Sequence, residues 1–507
     1  MQLNLSNVSY TYEGAASPAL DRVSVTFPQG WTGIIGDNGC GKSTLARVAT
    51  GLIVPDEGSV APTLFAAYCP QDTSIVPAEL SDLATGWGSE ALQIRDTLGI
   101  EDAWLWDYER LSGGQKKRIQ IACALWQRPD VLVLDEPTND LDAQTRECVL
   151  QSLQAFKGIG LLISHDRALL DALVDQCAVF EETHVVMRPG GYSKVAEQMR
   201  GERATRVRQH ENARREERRL KAEAQRRNEE AARSSSRLSA RHLDKHDSDG
   251  RERLGRAKVS SKDSVAGRAA GAMASRSERA SQAAAESRVS KRYDASIQLP
   301  GHAVRSKFVL HVPEGGLRAG DLMLHMPELW VGPSDHVGVS GRNGVGKTTL
   351  LRSVRKLVPE QVEYAFIPQE VDERSRQAAL ERLRALDDAD KGRVLSLVAG
   401  LNTDPDALRE GSNISPGELK KLLIAEQLLH EPNLLILDEP TNHLDVGSIE
   451  ALERALRSIS WRDHPRDARR AALAYRFNPS LAHRSNRKRI HPPRAIRGNA
   501  LSLIHVP

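Results

Sequence analysis

Residues 111–142 read LSGGQKKRIQIACALWQRPDVLVLDEPTNDLD, a stretch that combines a predicted helix with a predicted buried strand. The apolar block 131–134 is short, partly β-branched and uninterrupted, which is typical of a parallel strand buried on both faces. Asp135 and Glu136 follow directly, at the carboxyl end of that strand, where open α/β sheets bind their ligands. Upstream, the run 112–114 (SGG) is predicted to open a helix whose free N–H groups point towards an anion. The stretch therefore predicts an anion-binding helix start together with a carboxylate-bearing strand end.

A phosphate loop precedes this stretch. Residues 36–43 read GDNGCGKS, a complete G-x-x-x-x-G-K-S motif between a predicted strand, 31–35, and a helix. The glycines let the backbone wrap the phosphates, the Lys42 ammonium reaches the β- and γ-phosphate oxygens, and the Ser43 hydroxyl can bind Mg²⁺. The first half of the chain is therefore predicted to bind a nucleoside triphosphate with Mg²⁺.

The second half repeats these motifs at an offset of about 300 residues. Residues 341–348 (GRNGVGKT) repeat the phosphate loop, and residues 434–445 (LLILDEPTNHLD) repeat the strand and its two carboxylates. Residues 414–418 (ISPGE) stand where LSGGQ stood. Because Pro416 has no N–H, one phosphate donor is missing from this second helix start.

Composition restricts the class of protein. The chain has 507 residues, 40% of them hydrophobic, which is enough for two large domains and an insertion between them. Its five cysteines are scattered without CxxC spacing, which argues for a reducing compartment and against a zinc or iron–sulfur site. No apolar run approaches the roughly 20 residues of a membrane helix, and the N-terminus lacks a signal pattern. We expect a soluble, cytoplasmic protein.

The middle of the chain is strongly basic. Residues 200–292 contain about 26 Lys and Arg against about 14 Asp and Glu, a net charge of roughly +12, whereas the whole chain carries +3. The composition favours two long antiparallel helices with a loop-like tip that contains His242 and His246. One interpretation is a solvated helical spacer. The alternative is a nucleic-acid contact, because Arg binds phosphate bidentately and basic surfaces release counterions; the scarcity of aromatic residues then favours backbone contacts over base stacking.

The chain is similar to the ABC-F family over about residues 1–460. The similarity lies in two nucleotide-binding halves, the motifs DEPTNDLD and DEPTNHLD, a basic helical insertion and the lack of a membrane segment. The resemblance implies an α/β fold with two P-loop ABC-type nucleotide-binding domains joined by a long helical hairpin. The expected domains are a first ABC ATPase domain at 1–190, the basic arm at 191–299, a second ABC ATPase domain at 300–460 and an irregular basic tail at 461–507.

The resemblance also implies roles for side chains near ATP. Asp135 and Asp438 would hold Mg²⁺, and Glu136 and Glu439 would orient and deprotonate the water that attacks the γ-phosphate. His165, which stands in a Ser-His-Asp sequence, would hydrogen-bond the γ-phosphate. The expected metal ligands are Ser43, Gln71, Asp135, Thr348, Gln369 and Asp438.

The roles assigned to the two glutamines and to Tyr12 each have a simpler structural alternative. Gln71 and Gln369 match the Q-loop glutamine that contacts Mg²⁺ and the attacking water, although each could be a turn residue after proline. Tyr12 would stack on adenine, although it could be an ordinary strand residue. The residues expected to contact the nucleotide are Tyr12, Gly36, Asn38, Gly39, Gly41, Lys42, Ser43, Thr44, Ser112, Gly113, Gly114 and Gln115 in the first half and Gly341, Asn343, Gly344, Gly346, Lys347, Thr348, Thr349, Ser415, Gly417 and Glu418 in the second.

The family pattern places two ATP molecules at composite sites within a monomer whose domains pair head to tail. One site would combine Lys42, Ser43, Asp135, Glu136 and His165 with Ser415 and Gly417. The other would combine Lys347, Thr348, Asp438 and Glu439 with Ser112, Gly113 and Gly114, and no second Ser-His-Asp follows it. We therefore expect asymmetric sites, with hydrolysis at the second slower by roughly 10²–10³-fold.

The chain departs from the family pattern after Ser460. The remaining residues are rich in Pro and Arg and show no periodicity, which suits either a frameshifted or degenerate terminus or a genuine basic tail that binds RNA. On either interpretation we expect the final core strand of the second domain to be absent.

The implied function is ATP-driven action on the ribosome, with the arm contacting rRNA and tRNA near the exit and peptidyl sites. Such a protein would be a translation factor or a ribosome-protection factor against antibiotics. One alternative is an ATPase subunit that energises a separate membrane transporter, which leaves the basic arm unexplained. Another is an ATP-gated RNA clamp with little turnover, which the missing second histidine keeps open.

Overall fold

The computed structural model describes residues 1–15, 17–139, 141–181, 184–237, 262–286, 307–319, 322–326, 328–332, 335–341, 343–369, 371, 373–403, 405, 408, 414–442, 444–458, 471–475 and 502–506. The chain divides into two compact units. Unit 1 comprises Met1–Val195 together with Tyr293–Pro507, and unit 2 comprises Ala196–Arg292.

An antiparallel sheet opens unit 1. It contains β1 (Gln2–Tyr10), β2 (Leu20–Pro28) and β4 (Glu57–Ala61) in the order β2-β1-β4. The apolar residues of β2 alternate with polar ones, so that one face of the strand is buried and the other is exposed. The N-terminal residues therefore contribute to an antiparallel sheet.

A six-stranded sheet carries the first set of motifs. Its strands are β3 (Gly30–Ile35), β5 (Ala66–Cys69), β6 (Val131–Asp135), β7 (Ile159–Ile163), β8 (Gln176–Glu181) and β9 (His184–Pro189). The order is β5-β6-β7-β3-β8-β9, parallel except for β9. All five residues of β6 are buried, as its unbroken apolar sequence predicts.

Helices follow these strands. They are α1 (Lys42–Ala49), α2 (Leu80–Thr85), α3 (Ser89–Thr97), α4 (Gly113–Trp126), α5 (Ala143–Gln154) and α6 (Arg167–Leu173), with two 3₁₀ helices at Asp102–Trp106 and Tyr108–Arg110. The segment before α4 is therefore mainly helical. Trp87 and Trp106 in that segment are strongly exposed.

The second half contains two small antiparallel sheets and one parallel sheet. The small sheets pair β10 (Leu310–Val312) with β13 (Leu329–Val331) and β11 (Gly315–Ala319) with β12 (Leu322–Met326). The parallel sheet contains β14 (His336–Gly341), β15 (Tyr364–Ile367), β16 (Leu434–Leu437), β17 (Ala471–Tyr475) and β18 (Ser502–Val506) in the order β15-β16-β17-β14-β18. Its helices are α9 (Lys347–Arg355), α10 (Glu373–Ala385), α11 (Asp388–Gly400), α12 (Pro416–Leu429) and α13 (Val446–Ser458).

The expectation that the final core strand is absent is wrong. Strand β17 lies between β16 and β14 and pairs in parallel with both, which is the position that β7 occupies between β6 and β3. The strand is formed by a short apolar run, AALAY, whose Arg- and Pro-rich flanks conceal it in the sequence. Strand β18 also lies in the predicted irregular tail. The rest of the tail, 461–470, 476–501 and 507, lies outside the described residues.

Unit 2 is built from helices. The long helix α7 (Tyr192–Arg237) enters it from unit 1, and α8 (Lys262–Glu286) follows. A hydrogen bond between Glu217 and Ser281 joins the two helices. The predicted tip with His242 and His246 lies outside the described residues. Within the described ranges, no helix has the length and apolar character needed to cross a membrane.

Candidate functional site

The first phosphate loop is formed between β3 and α1. Gly41 adopts φ +100°, and a Cβ there would lie 2.5 Å from the carbonyl oxygen of Ala19, so only glycine fits. The buried Lys42 ammonium donates hydrogen bonds to the carbonyl oxygens of Gly36 (2.9 Å) and Asp37 (2.8 Å). The ammonium is thus held inside the loop, where phosphate oxygens can replace the carbonyl groups as its partners.

The two carboxylates at the end of β6, those of Asp135 and Glu136, are buried and have different hydrogen-bond partners. The Tyr68 hydroxyl donates a 2.8 Å hydrogen bond to Oδ2 of Asp135. Glu136 adopts φ +48°, in the left-handed region, while its N–H donates to the carbonyl oxygen of Ile163 at 2.9 Å. Such a conformation in a non-glycine residue costs free energy and is often found at functional sites. In the second domain Glu439 has the same feature, with φ +44°.

Glu136 and His165 lie against each other. The His165 N–H donates to Oε2 of Glu136 at 3.3 Å, and Nε2 of His165 lies 3.3 Å from Oε1. Burial, and then the neighbouring Asp135, raise the pKa of Glu136 to about 8. Burial, and then Lys42, lower the pKa of His165 to about 4. At neutral pH the pair is therefore a neutral carboxyl beside a neutral imidazole rather than an ion pair.

The donor set fits a hard divalent cation. Asp135, Ser43 and Gln71 provide the carboxylate, hydroxyl and amide oxygens that Mg²⁺ prefers. In addition, Oε1 of Glu136 and Oδ1 of Asp438 are buried without a hydrogen-bond partner among the described residues. Such atoms are normally satisfied by protein, water or ligand. The residues of both domains therefore suit a site that takes a metal-bound nucleotide.

The signature segment opens a helix, as predicted. Ser112 is the N-cap of α4 and forms a capping box with Gln115. From the same helix, the fully buried Lys117 ammonium donates to the carbonyl oxygens of Pro70 (2.5 Å) and Gln71 (3.2 Å). Helix α4 therefore fixes the backbone that presents Gln71.

The second domain repeats this arrangement. Lys347 donates to the carbonyl oxygen of Gly341 at 2.7 Å, and Gln369 donates to Oε2 of Glu439 at 3.1 Å. Ser415 forms a capping box with Glu418, and Pro416 occupies the first helical position, where its missing N–H costs least. The structure thus brings Gln369 and Glu439 together at this site.

Tyr12 lies beside the first helix of the nucleotide site. Its hydroxyl is 3.1 Å from Oγ1 of Thr44 in α1, and its ring packs edge-on against Tyr10. The side chain is 39% exposed, so one part of the ring is accessible to a ligand. Stacking on adenine stays a prediction.

Each phosphate loop also contacts the other domain. The N–H of Asn343 in the second loop donates to Oδ2 of Asp142 at 3.4 Å, and the Asn402 amide donates to Oδ1 of Asp37 in the first loop at 3.4 Å. Arg167, two residues after His165, bonds Glu453 on α13 at 2.5 Å. The residues that sequence reasoning missed are Tyr68, Asp142, Arg167 and Asn402. Only Asp142, the last residue of DEPTNDLD, carried a signal. The pairing of each loop with the opposite signature serine stays a prediction.

Glu136→Gln is expected to stabilise the nucleotide-free protein increasingly as pH rises from 4.5 to about 8. The raised pKa of Glu136 means that the folded state keeps a proton which the unfolded state has lost, so the parent loses stability across this window. Gln carries no such penalty. Thermal unfolding in EDTA across this pH range measures the difference. Glu147→Gln, on an exposed position of α5, is the matched control and should show no pH-dependent gain; equal gains for both variants would contradict the prediction.

Comparison with known proteins agrees with this geometry. The family model described as ABC transporter matches residues 20–139 and 324–442. The ribosome protection protein VmlR of Bacillus subtilis (strain 168) is 27% identical over 470 residues, which cover 90% of this chain and 82% of VmlR. The tylosin resistance ATP-binding protein TlrC of Streptomyces fradiae is 30% identical over 533 residues, covering 90% of this chain and 92% of TlrC.

A solved structure shows the same tandem fold. The archaeal ribosome recycling factor aABCE1, in complex with the ribosomal stalk protein aP1, superposes with a TM-score of 0.58 at 19% identity, covering 92% of this chain and 84% of that chain. The two matched nucleotide-binding segments, the repeated phosphate loops and the long similarity to TlrC lead to one assignment. The chain belongs to the ABC-F family of ATP-binding proteins.

Proposed function

We propose that this protein hydrolyses ATP and uses the nucleotide cycle to act on the ribosome in the cytoplasm, as a translation factor or as a ribosome-protection factor. The names of VmlR, a ribosome protection protein, and TlrC, a tylosin resistance protein, support the ribosome-protection version. The observation that carries the proposal is the pair of cross-domain contacts, Asp142 with Asn343 and Asn402 with Asp37. Because each phosphate loop is contacted from the other domain, nucleotide in a loop can influence how the domains pair.

The first site has the groups that hydrolysis requires. Lys42 would exchange its carbonyl partners for β- and γ-phosphate oxygens. Glu136 has a pKa of about 8 in the nucleotide-free site. Its carboxyl would therefore have to lose its proton before it could orient the attacking water and accept a proton from it. The His165 backbone N–H holds that carboxyl in place. Asp135, Ser43 and Gln71 would hold Mg²⁺. The bound ion would neutralise the charge that develops on the phosphate oxygens.

The second site has fewer of the groups that hydrolysis requires. It retains Lys347, Asp438 and Glu439, but the sequence after β17 continues with Arg476 and Phe477 rather than Ser-His-Asp. A histidine donor to the γ-phosphate would then be missing, and removal of one preorganised donor costs about 10²–10³-fold in rate. We infer that the second site binds ATP and hydrolyses it slowly.

The arm supplies the surface for RNA. Carboxylates of α7 form ion pairs with basic residues of the same helix, such as Glu217 with Lys221 at 2.6 Å and Glu223 with Arg227 at 3.0 Å. Even if every acidic residue of 200–292 were paired, about 12 basic residues would be in surplus. Such a surplus attracts phosphate backbones by counterion release. We propose that rRNA and tRNA on the ribosome are the partners of this surface.

ATP-dependent co-sedimentation with ribosomes tests the proposal. The Glu136→Gln/Glu439→Gln variant should sediment with ribosomes when ATP is present, because hydrolysis no longer resets it. Removal of residues 200–292 should abolish the binding. A finer variant, Arg214→Gln/Arg215→Gln/Arg218→Gln, should weaken it and reduce its salt dependence, whereas Glu216→Gln on the same stretch of α7 is the matched control and should not weaken it.

The other outcomes separate the alternatives. If the protein is folded and binds ATP but does not bind ribosomes, the proposal is contradicted. That result would favour an ATPase subunit that energises a membrane transporter. Ribosome binding that needs ATP, with no turnover in the parent protein, would favour the RNA clamp.

A further inference from the structure

Strands β5 and β15, each at one edge of its sheet, carry an aromatic residue at an equivalent position, a tyrosine in β5 and a phenylalanine in β15. In the first sheet Tyr68 of β5 pairs with Val133, two residues before Asp135. In the second sheet Phe366 of β15 pairs with Ile436, two residues before Asp438. The two aromatic rings therefore occupy the same register relative to the metal-binding carboxylate of their own domain.

The surroundings of the two rings are similar, except that Arg47 also hydrogen-bonds the Tyr68 hydroxyl. An arginine from the helix after the phosphate loop packs on each ring, with Arg47 6.0 Å from the centroid of Tyr68 and Arg355 5.0 Å from that of Phe366. Both rings are partly buried against the core of their domain. The chemical difference between the two positions is thus the Tyr68 hydroxyl.

This hydroxyl has a defined acceptor. It donates to Oδ2 of Asp135 at 2.8 Å. At the second site Asp438 has a hydrogen bond with Thr348, while its Oδ1 atom is buried without a partner among the described residues.

We propose that Tyr68 is a positioning residue for the Mg²⁺–ATP site of the first domain, and that Phe366 leaves the second site without this support. A hydrogen bond to Oδ2 selects one orientation of the Asp135 carboxylate, which would hold the metal ion. Hydrogen bonds of this kind to metal-binding groups typically change metal affinity or activity by about 10–100-fold. The inference rests on the proposed function, since it needs metal-bound ATP in the loop. It adds a second cause, besides the missing histidine, for unequal sites.

The test measures metal binding at one site at a time. Lys347→Ala removes the second phosphate-loop lysine and leaves the first site, where Mn²⁺ binding in the presence of ATP is followed by electron paramagnetic resonance. In this background Tyr68→Phe is expected to weaken Mn²⁺ binding about tenfold. Binding of a fluorescent ATP analogue in EDTA should stay unchanged, because the hydroxyl contacts the carboxylate and not the loop. The unfolding temperature should fall only modestly, since the ring keeps its shape and the substitution removes one hydrogen bond to Asp135.

The chain offers a reciprocal control. In a Lys42→Ala background, which leaves the second site, Phe366→Tyr is expected to tighten Mn²⁺ binding. If Tyr68→Phe binds Mn²⁺ as tightly as its parent while nucleotide binding and folding are intact, the positioning role is excluded. If the parent backgrounds bind no ATP at all, the proposed function fails together with the inference. A general loss of stability in Tyr68→Phe, with ATP binding in EDTA lost as well, would show a structural role and would also overturn the inference.

Discussion

Glu136→Gln is expected to lower the steady-state rate of ATP hydrolysis by about 10²–10⁴-fold, the contribution of a positioned general base. The substitution keeps the shape of the side chain and the hydrogen bond from the His165 N–H, but it removes the group that accepts the proton of water. Glu439→Gln alone should change the rate little, because the second site contributes little turnover. The measurement is phosphate release under saturating ATP for the parent and both single variants.

Retention of ATP is the control for this prediction. Both variants should bind ATP at least as well as the parent, because Lys42 and Lys347 are untouched. Equal losses of rate in the two variants would show that the sites are symmetric. A Glu136→Gln variant that turns over like its parent would show that another group is the base.

Lys421→Ala is expected to destabilise the second domain by about 3–5 kcal/mol, which is the cost of leaving a buried carboxylate without its partner. The Lys421 ammonium lies 3.2 Å from Oδ2 of Asp445, and both side chains are more than nine-tenths buried. Ser448 also donates to Asp445, at 2.7 Å from its hydroxyl and 2.8 Å from its N–H. Urea titration followed by circular dichroism measures the loss.

The free-energy loss in Lys421→Ala is expected to depend on pH. Burial acts to raise the pKa of Asp445, but Lys421 and Ser448 together outweigh it and hold the pKa below its ordinary value of 3.8. The stability supplied by this carboxylate is therefore present above pH 3.8 and is lost as pH falls below it. The gap between Lys421→Ala and its parent should accordingly shrink at low pH.

A double variant separates the pair from the rest of the site. Lys421→Met/Asp445→Leu should recover part of the loss, because it leaves no buried charge, although the Ser448 N–H and hydroxyl lose their acceptor. Failure of the double variant to recover stability would place the effect in other contacts of Lys421, such as its 3.3 Å hydrogen bond to the carbonyl oxygen of Asn402.

The sequence was sufficient wherever the cause of a structure is local. The unbroken apolar block 131–134 determines a buried parallel strand, and Gly41 determines a left-handed turn that no larger residue can adopt without meeting Ala19. Ser112 and Ser415 determine the starts of α4 and α12 through their own side chains. These features depend on chain geometry within a few residues, so their patterns are legible without a partner.

Sequence reasoning failed at β17. The run AALAY is too short to show a period, and it becomes a strand only because β14 and β16 leave a position between them. Strand formation there depends on hydrogen bonds from two neighbours, one of them more than one hundred residues away in the chain. No local pattern carries that information.

What the sequence by itself determined is the repeated set of phosphate loops and strand-end carboxylates, the basic arm and the family. What only the tertiary structure decided is which side chains act on that set: Tyr68 on Asp135, Asn402 on Asp37, and Asp142 on the second phosphate loop. The physical reason is range. Backbone conformation and burial patterns arise from neighbours along the chain, whereas these hydrogen bonds join atoms brought together by strand order and by the packing of one domain on the other.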